Sequence, residues 1–304
     1  YADQSTGYII SKPKEGKTDK EIKKYAEQII ILYNELKKLD IPLTFFLLPS
    51  KASYVRDPHP DFMPEDQGLR DANLFLSILQ KNGVDQVQLM GKMLEISDSS
   101  ITDIRKLFFK TDHHWNMRGA FLGYQAIIEE LAVRMGKEAN LLNDNNTNSF
   151  CLDLPFAGSW NRHYYLLIEN DDKVCYIEPA SFEIQFTTFI GGVSKENEKD
   201  RNEVYRRVLH DNKAKTVSYA TGYSSDYGEM NILNKDYDWD MHLLVLKDSY
   251  FNAIQYHVAN HFKQTTIIDL RHFDENLVDY IKKINPDYII MTYNDRNLDY
   301  KMAE

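Results

Sequence analysis

The spacing of apolar residues in the first half of the chain predicts helices that alternate with strands. Residues 18–39 have apolar side chains at intervals of three and four, with Lys and Glu between them, which indicates an amphipathic helix. Residues 41–48 form a nearly continuous apolar run, which is typical of a parallel strand covered on both faces. Further helices are predicted over residues 69–82 and 117–135, and a further strand over residues 84–89.

The same alternation returns near the end of the chain. Strands are predicted over residues 242–246, 265–270 and 288–292, and helices over residues 251–262 and 275–284. Between the two halves, residues 143–237 show polar, aromatic and β-branched residues with little helical period, which predicts a β-rich insertion. We therefore expect a single α/β domain over residues 1–304, in which helices flank a parallel sheet.

Composition narrows the class of protein. The formal net charge of −10 and the lack of a Lys/Arg-rich stripe argue against nucleic-acid binding. The two cysteines, Cys151 and Cys175, fit either one disulfide in an oxidising compartment or two buried thiols. No run approaches the ~20 apolar residues of a membrane span. Because the chain opens at Tyr1 rather than Met, we expect a targeting segment or anchor to lie outside it.

A serine follows the apolar strand predicted at residues 242–246, in the sequence Lys247-Asp248-Ser249. At the carboxyl end of a parallel strand, a side chain faces the crevice where open α/β sheets bind ligands. The N-terminus of the predicted next helix would offer N–H groups to an oxyanion. Ser249 is thus a candidate nucleophile, and the alternative is a residue that only caps this helix.

The segment TDHHWN, residues 111–116, supplies the groups that a nucleophilic serine needs. Residues two apart in an extended chain project to the same side, so Asp112 and His114 can lie together while His113 points away. A histidine would take the serine proton, and a carboxylate would orient that histidine. Ordinary solvent-exposed polar residues are the alternative. A metal site is less favoured, because no HExxH or paired-Cys spacing supplies further ligands.

Several motifs together resemble the DHHW family, which is related to the SGNH-like O-acetyltransferases of alginate and other exopolysaccharides. The matching stretches are TDHHWNMRGA at 111–120, VLKDSYFNA at 245–253, IIDLRHF at 267–273 and, less closely, LLPSK at 47–51. The resemblance implies an SGNH-hydrolase-like fold and a triad of Ser249 as nucleophile, His114 as general base and Asp112 as orienting acid. The sequence departs from the usual Gly-Asp-Ser of SGNH enzymes, because Lys247 stands in the place of the glycine.

Substrate contacts are predicted at the same edge of the sheet. Arg271 matches an arginine of the family pattern, with a surface arginine as the alternative, and Tyr293 and Asn294 end the last predicted strand. Trp115 adjoins the triad and is a candidate platform for a sugar ring, with a buried structural role as the alternative. Residues 158–162, the sequence GSWNR in the insertion, are a candidate wall of the cleft.

The resemblance implies an extracytoplasmic, secreted or membrane-anchored, polysaccharide O-acetyltransferase that works through an acyl-enzyme, without cofactor or metal. Its expected partners are a polysaccharide, an acetyl donor and, as a further candidate, a membrane acyl-transfer protein that delivers the acetyl group. Two alternatives remain open at this point. One is a carbohydrate acetyl esterase with the same site, and the other is a non-catalytic polysaccharide-binding protein with the same fold.

Overall fold

The computed structural model describes residues 1–3, 5–56, 62–97, 101–143, 145–180, 185–191 and 197–299. Its ten strands in these ranges are β1 (Leu43–Leu48), β2 (Asp85–Gln88), β3 (Thr147–Cys151), β4 (Cys175–Pro179), β5 (Phe186–Ile190), β6 (Glu198–Lys199), β7 (Glu229–Asn234), β8 (Trp239–Lys247), β9 (Phe262–Ile268) and β10 (Tyr288–Asn294).

Eight of these strands form one sheet in the order β2-β1-β10-β8-β9-β7-β5-β6. The five strands from β2 to β9 in this order are parallel, whereas β7, β5 and β6 continue the sheet with antiparallel pairing. The predicted fold class is therefore confirmed. The strands predicted from apolar runs lie within one to three residues of the observed bounds at most ends.

Helices cover both faces of the sheet. The longer ones are Asp19–Lys37, Gly68–Lys81, Leu89–Ile96, Met117–Met135 and Leu277–Ile284. The shorter α-helical turns are Lys51–Tyr54, Ser159–Arg162, Arg201–Val204, Tyr219–Gly222 and Gln255–Ala259, and the 3₁₀ turns are Ile104–Leu107, Arg207–His210 and Ser249–Ala253. None of the helices in the described part of the chain has the length and apolar character needed to cross a bilayer.

The alternation of side chains along each strand divides the core into two clusters. On β1, Phe46 and Leu48 belong to one cluster, and Phe45 and Leu47 belong to the other. Strand side chains point alternately to the two faces, so a strand that is apolar at every position must be covered on both sides. All six residues of β1 are buried, as this arrangement requires.

The prediction of one helix over residues 251–262 is wrong. The chain forms a 3₁₀ turn at Ser249–Ala253, leaves helical geometry at Ile254, and forms a short α-helix at Gln255–Ala259. All residues from Tyr250 to Ala259 are buried. With no solvent-facing side, packing rather than an amphipathic pattern sets the conformation here.

The segment 143–237 joins the large sheet at one edge through β5, β6 and β7. Strands β3 and β4 form a separate antiparallel ribbon, in which Cys151 and Cys175 are directly opposite each other and are joined by a disulfide. The structure thus selects the disulfide from the two alternatives that the cysteine count left open. Short helical turns and loops make up most of the remaining described residues of this segment.

Candidate active site

Ser249 directly follows Lys247 and Asp248 at the carboxyl end of β8, which lies between β10 and β9 inside the sheet. The buried Asp248 carboxylate fixes this turn, because it accepts hydrogen bonds from the Tyr250 N–H at 2.9 Å and from the Asn294 backbone and side-chain N–H groups at 2.9 and 2.6 Å. The turn after β8 is thereby tied to the end of the neighbouring strand β10. Ser249 itself is half-buried.

Asp112 and His114 lie in a tight loop before the helix Met117–Met135. An isolated bridge pairs Phe108 with Trp115, and the Phe109 N–H donates to the His114 carbonyl over 3.2 Å, which closes the loop. The Trp115 indole N–H donates to the Tyr250 carbonyl over 3.0 Å. This bond connects the loop to the turn that carries Ser249.

The structure brings the three predicted catalytic residues together. His114 Nε2 is 2.9 Å from Ser249 Oγ, and His114 Nδ1 is 2.7 Å from Asp112 Oδ1. These distances are those of direct hydrogen bonds, with the imidazole between the hydroxyl and the carboxylate. In this arrangement the histidine can accept the serine proton at one nitrogen while the carboxylate fixes the tautomer at the other.

Asp112 is almost fully buried and is satisfied by further donors. The His114 backbone N–H donates to its Oδ1 over 3.0 Å, and the Ser159 backbone N–H donates to its Oδ2 over 2.6 Å. Burial alone would raise the pKa of Asp112, but the neighbouring imidazoles and these hydrogen bonds outweigh burial and hold the pKa well below its ordinary value. Asp112 therefore stays ionised beside His114.

Tyr219, from the inserted segment, packs on the face of the His114 imidazole. Its ring centroid is 3.7 Å from that of His114 and the two rings are 3° from parallel. The Tyr219 hydroxyl donates to the Tyr250 carbonyl over 3.1 Å, so the ring is anchored to the Ser249 turn. The sequence offered no signal for this contact, because nothing local distinguishes Tyr219 from the other tyrosines of the segment.

A cavity of about 350 Å³ opens onto Ser249. It is lined by Ser11, Ser50, Ala52, His113, Trp160, Ser249, Tyr250, Arg271, Asn294, Arg296 and Asn297. Larger cavities of about 670 and 560 Å³ occur elsewhere on the protein, but Ser249 does not line either of them. The chemistry of the side chains, rather than the size of the cavity, identifies the candidate site.

Two of the four predicted substrate contacts line this cavity. Arg271 does so with a 41% exposed side chain, and its guanidinium also binds both oxygens of Asp269, at 2.8 and 2.6 Å. Asn294 lines the cavity while its amide donates to Asp248. The prediction that residues 158–162 form a wall agrees with the position of Trp160.

Trp115 and Tyr293 do not reach the cavity, so the structure corrects their predicted role as substrate contacts. Trp115 has no exposed surface, and only 1% of Tyr293 is exposed. Trp115 packs in the core beneath the triad loop, and the Tyr293 ring packs near Phe45 in the cluster on the other face of the sheet. Asn294 lines the cavity and Tyr293 does not, because neighbouring residues of a strand point to opposite faces of the sheet.

Lys247, which replaces the glycine of the usual SGNH motif, is buried away from the reacting groups. Its Nζ lies 2.9 Å from Asp226 Oδ1, 2.8 Å from Asn252 Oδ1 and 3.3 Å from Asp269 Oδ2. These partners neutralise the ammonium group, and the Ser249 turn retains hydrogen-bond contact with His114. The lysine is thus compatible with the geometry of the triad.

Among the residues that the structure describes, two clusters have the composition of a cation site. The first is Asp112 with His113 and His114, and the second is Asp226 with Asp269 and His272. In the first, the two His114 nitrogens already bind Asp112 and Ser249. In the second, the ammonium of Lys247 and the guanidinium of Arg271 already bind the carboxylates. The donor sets are therefore engaged in protein contacts and do not favour a metal.

Comparisons with known proteins agree with the fold and the motifs. Residues 10–152 match the model of a family described as the SGNH hydrolase-like domain of acetyltransferase AlgX. The structure of Bacillus cereus PatB1 is 32% identical, with a TM-score of 0.83 over 99% of this chain and 97% of that one. A structure of the same protein with a sulfonyl adduct is 29% identical, with a TM-score of 0.81 over 99% and 98%.

Two more distant structures share the fold. A DHHW family protein from Eubacterium siraeum is 17% identical, with a TM-score of 0.72 over 96% of this chain and 88% of that one. The O-acetyltransferase domain of Pseudomonas putida AlgJ is 13% identical, with a TM-score of 0.54 over 95% and 87%. No curated protein sequence matches the chain. The resemblance read from the motifs is confirmed, and the chain belongs to the SGNH hydrolase-like family of the AlgX acetyltransferase domain.

Proposed function

We propose that this protein is an extracytoplasmic polysaccharide O-acetyltransferase that forms an acetyl-enzyme on Ser249. The observation that carries the proposal is the continuous hydrogen-bonded set from Ser249 Oγ through His114 to Asp112, at 2.9 and 2.7 Å. This set opens into a cavity of about 350 Å³. Membership in a family of acetyltransferases indicates that the transferred group is acetyl. The resemblance to exopolysaccharide O-acetyltransferases indicates that the acceptor is a polysaccharide.

In the first step, His114 Nε2 takes the Ser249 proton as Oγ attacks the carbonyl carbon of an acetyl donor. The bond from that carbon to the leaving group breaks, and the imidazolium returns the proton to the leaving group. In the second step, a sugar hydroxyl gives its proton to His114 and attacks the acetyl carbon. The Ser249–acetyl bond breaks, and Oγ recovers the proton. If water replaces the sugar hydroxyl, the same steps give an esterase.

The oxyanion of each tetrahedral intermediate requires hydrogen-bond donors on the cavity side. The Ser249 backbone N–H and the Arg271 guanidinium are the candidates that we assign to this role. The short 3₁₀ turn at Ser249–Ala253 supplies no long helix dipole, and the Tyr250 N–H is already bound to Asp248. The hydrogen-bond donors available to the oxyanion therefore differ from the N-terminal N–H groups that the predicted long helix would have offered.

The disulfide supports a site of action outside the cytoplasm. Disulfides form and persist in oxidising compartments and are rare in reducing ones. The Cys151–Cys175 bond joins the two strands of the β3–β4 ribbon. Secretion and a membrane-bound donor of acetyl groups remain parts of this proposal.

The proposal is tested by following the acetyl group from a small chromogenic acetyl ester, with and without added oligosaccharides. The protein is expected to release the chromophore and, when a suitable acceptor is present, to place the acetyl group on a sugar hydroxyl. Ser249→Ala and His114→Ala are expected to abolish both. Release without transfer to any acceptor would indicate an esterase, and activity that survives Ser249→Ala would contradict the triad.

A sulfonyl reagent provides an independent probe of the nucleophile. Sulfonyl adducts form when a nucleophilic side chain displaces a leaving group from sulfur, and PatB1 has been obtained with such an adduct. We expect a sulfonyl fluoride to modify wild-type protein once, at Ser249, and to leave Ser249→Ala unmodified. Ser149→Ala, at an exposed position of β3, is a matched serine control and should be modified as wild type is.

A further inference from the structure

A buried lysine lies beside the loop that carries Asp112 and His114, here called the catalytic loop, without being part of the triad. Lys51 begins the helical turn after β1, and only 1% of its surface is exposed. Its ammonium donates to the carbonyl oxygens of Lys110 and Asp112, the second over 3.0 Å. A buried charge is strongly unfavourable without such partners, so these contacts indicate a specific arrangement rather than a chance one.

Asp172 binds the backbone N–H groups of the segment whose carbonyl oxygens bind Lys51. Its carboxylate accepts hydrogen bonds from the backbone N–H groups of Lys110 and Thr111, both at 2.8 Å, and from the Thr111 hydroxyl at 2.7 Å. A trans peptide directs its C=O and its N–H in opposite directions. The peptide between Lys110 and Thr111 thus has its oxygen on the Lys51 ammonium and its N–H on the Asp172 carboxylate.

The two charges match the dipole of that peptide. The positive group meets the partly negative oxygen, and the negative group meets the partly positive N–H, and such charge-assisted hydrogen bonds are stronger than neutral ones. Asp112 follows this peptide directly, and its own carbonyl also binds Lys51. The position of the Asp112 carboxylate beside His114 therefore depends on how firmly residues 110–112 are held.

The same ammonium also contacts a wall of the cavity. Lys51 Nζ is 4.5 Å from the centroid of the Trp160 ring, within the range of a cation–π interaction. Trp160 lines the cavity together with Ser249. Lys51 thus connects the loop after β1, the catalytic loop and the inserted segment at one point.

We propose that Lys51 and Asp172 are positioning residues, which bind the oxygen and the N–H of the Lys110–Thr111 peptide. These two contacts hold Asp112 and His114 in the position from which His114 reaches Ser249. This inference rests on the proposed function, because it concerns the rate of the same reaction. Both residues act through Asp112, so their loss should lower the rate of the chemical step more than the binding of substrate.

The charge of Lys51 changes within a measurable pH range. Burial lowers the pKa of Lys51 to about 7, and the carboxylates of Asp172 and Asp112 oppose this shift. His113 also faces this group, because burial lowers the pKa of His113 and the Lys51 charge lowers it further. As the pH rises above about 7, Lys51 loses its proton, and its hydrogen bond to the Lys110 carbonyl weakens.

The experiment compares Lys51→Met, Lys51→Arg and Asp172→Asn with wild type in the hydrolysis of a chromogenic acetyl ester, from weakly acidic to alkaline pH. Lys263→Met is the matched control, because this lysine forms an exposed ion pair with Asp240. Lys51→Met and Asp172→Asn are expected to lower kcat by about 10- to 100-fold and to change KM by less than about twofold. Lys51→Arg keeps the charge and should retain more of kcat than Lys51→Met.

The pH profile separates positioning by charge from a merely structural role. Asp172→Asn removes a charge that raises the pKa of Lys51, so the alkaline fall in kcat should move to lower pH. Lys51→Arg is not deprotonated in this range and should lose that fall. A folded Lys51→Met protein with wild-type kcat, or an alkaline profile unchanged in every variant, would overturn the inference.

The design keeps the two proposals apart. If Lys51→Met does not fold, the half-buried Asp172→Asn carries the test of kcat and of the pH profile. Activity that is lost in Ser249→Ala but unchanged in the Lys51 and Asp172 variants rejects the positioning role alone. Activity that survives Ser249→Ala rejects the proposed function itself.

Discussion

At the scale of single residues, the proposed function depends on an ionised Asp112 that holds His114 in one tautomer. Three hydrogen bonds fix this carboxylate, from the His114 ring, the His114 backbone and the Ser159 backbone. The motif predicted Asp112 and His114 as partners because their spacing places them on one side of the chain. The Ser159 donor was not predictable, because it comes from a segment 47 residues away.

Replacement of Asp112 by asparagine tests this role. The amide is close in shape but offers an N–H where His114 needs an acceptor, so the imidazole is held in the wrong tautomer. We expect Asp112→Asn to fold and to lower kcat by about 10³- to 10⁴-fold, as for the equivalent change in a serine protease. Ester hydrolysis and circular dichroism measure the two effects. A loss of less than about tenfold would show that Asp112 does not orient the catalytic base.

Asp295 is another buried carboxylate outside the triad, and it follows Asn294, which lines the cavity. Its Oδ1 accepts a hydrogen bond from the Ser53 hydroxyl over 2.9 Å, while its Oδ2 has no hydrogen-bond partner among the described residues. Burial raises the pKa of Asp295 to about 6. The folded protein therefore binds a proton here at pH values where the unfolded chain, with an ordinary carboxyl, does not.

This shift gives the stability of the protein a defined pH dependence. The contribution of Asp295 is present below the ordinary carboxyl pKa and is lost as the pH rises through about 6. The difference amounts to at most about 3 kcal/mol. Asp295→Asn keeps the shape without the charge, so urea denaturation should show a gain in stability at pH above 6 and little change in acid. An equal change at both pH values would contradict a raised pKa.

At the scale of elements, the inserted segment is packed directly onto the catalytic loop. A Cβ on Gly158 would lie 2.4 Å from the Thr111 carbonyl oxygen and 2.5 Å from its hydroxyl, so only glycine allows this approach. This short distance allows two hydrogen bonds from the residues that follow. The Ser159 N–H donates to the Asp112 carboxylate, and the Asn161 N–H donates to the Thr111 carbonyl over 3.2 Å. The insertion is therefore a structural part of the candidate active site.

A matched pair of glycine substitutions tests this packing. Gly158→Ala must push the inserted segment away from Thr111, so we expect lower stability together with lower kcat. Gly91→Ala is the control, because a Cβ there meets nothing within 4 Å and the residue lies in the helix Leu89–Ile96. It should gain up to about 1 kcal/mol in stability, with unchanged kcat. Equal effects of the two changes on kcat would contradict the close contact at Gly158.

The elements with strong hydrophobic periodicity were predictable, and those formed by long-range contacts were not. The helix Asp19–Lys37 and strand β1 follow from local spacing and local apolar runs. The segment after Ser249 is buried on all sides, so its amphipathic pattern misled the prediction. The antiparallel pairing of β7 with β9 depends on residues far apart in sequence, which no local pattern reveals.

At the scale of the whole molecule, the fold gathers the site from the first part of the chain, the insertion and the last part. His114 precedes the insertion, Tyr219 lies within it, and Ser249 follows it, yet His114 contacts both of the other two. The motif resemblance predicted that His114 and Ser249, from the first and last parts of the chain, lie together. The contributions of Tyr219 and Lys51 required the structure, because their burial depends on partners from distant segments.

The most direct test of the central claim is the mass of the intact protein after incubation with a small acetyl ester, followed by peptide mapping. The triad predicts one added acetyl group on Ser249 in wild type. It predicts no adduct in Ser249→Ala, and a strongly reduced rate of adduct formation in His114→Ala. An unmodified wild-type protein that nevertheless cleaves the ester, or an acetyl group found at another residue, would contradict the acetyl-serine mechanism.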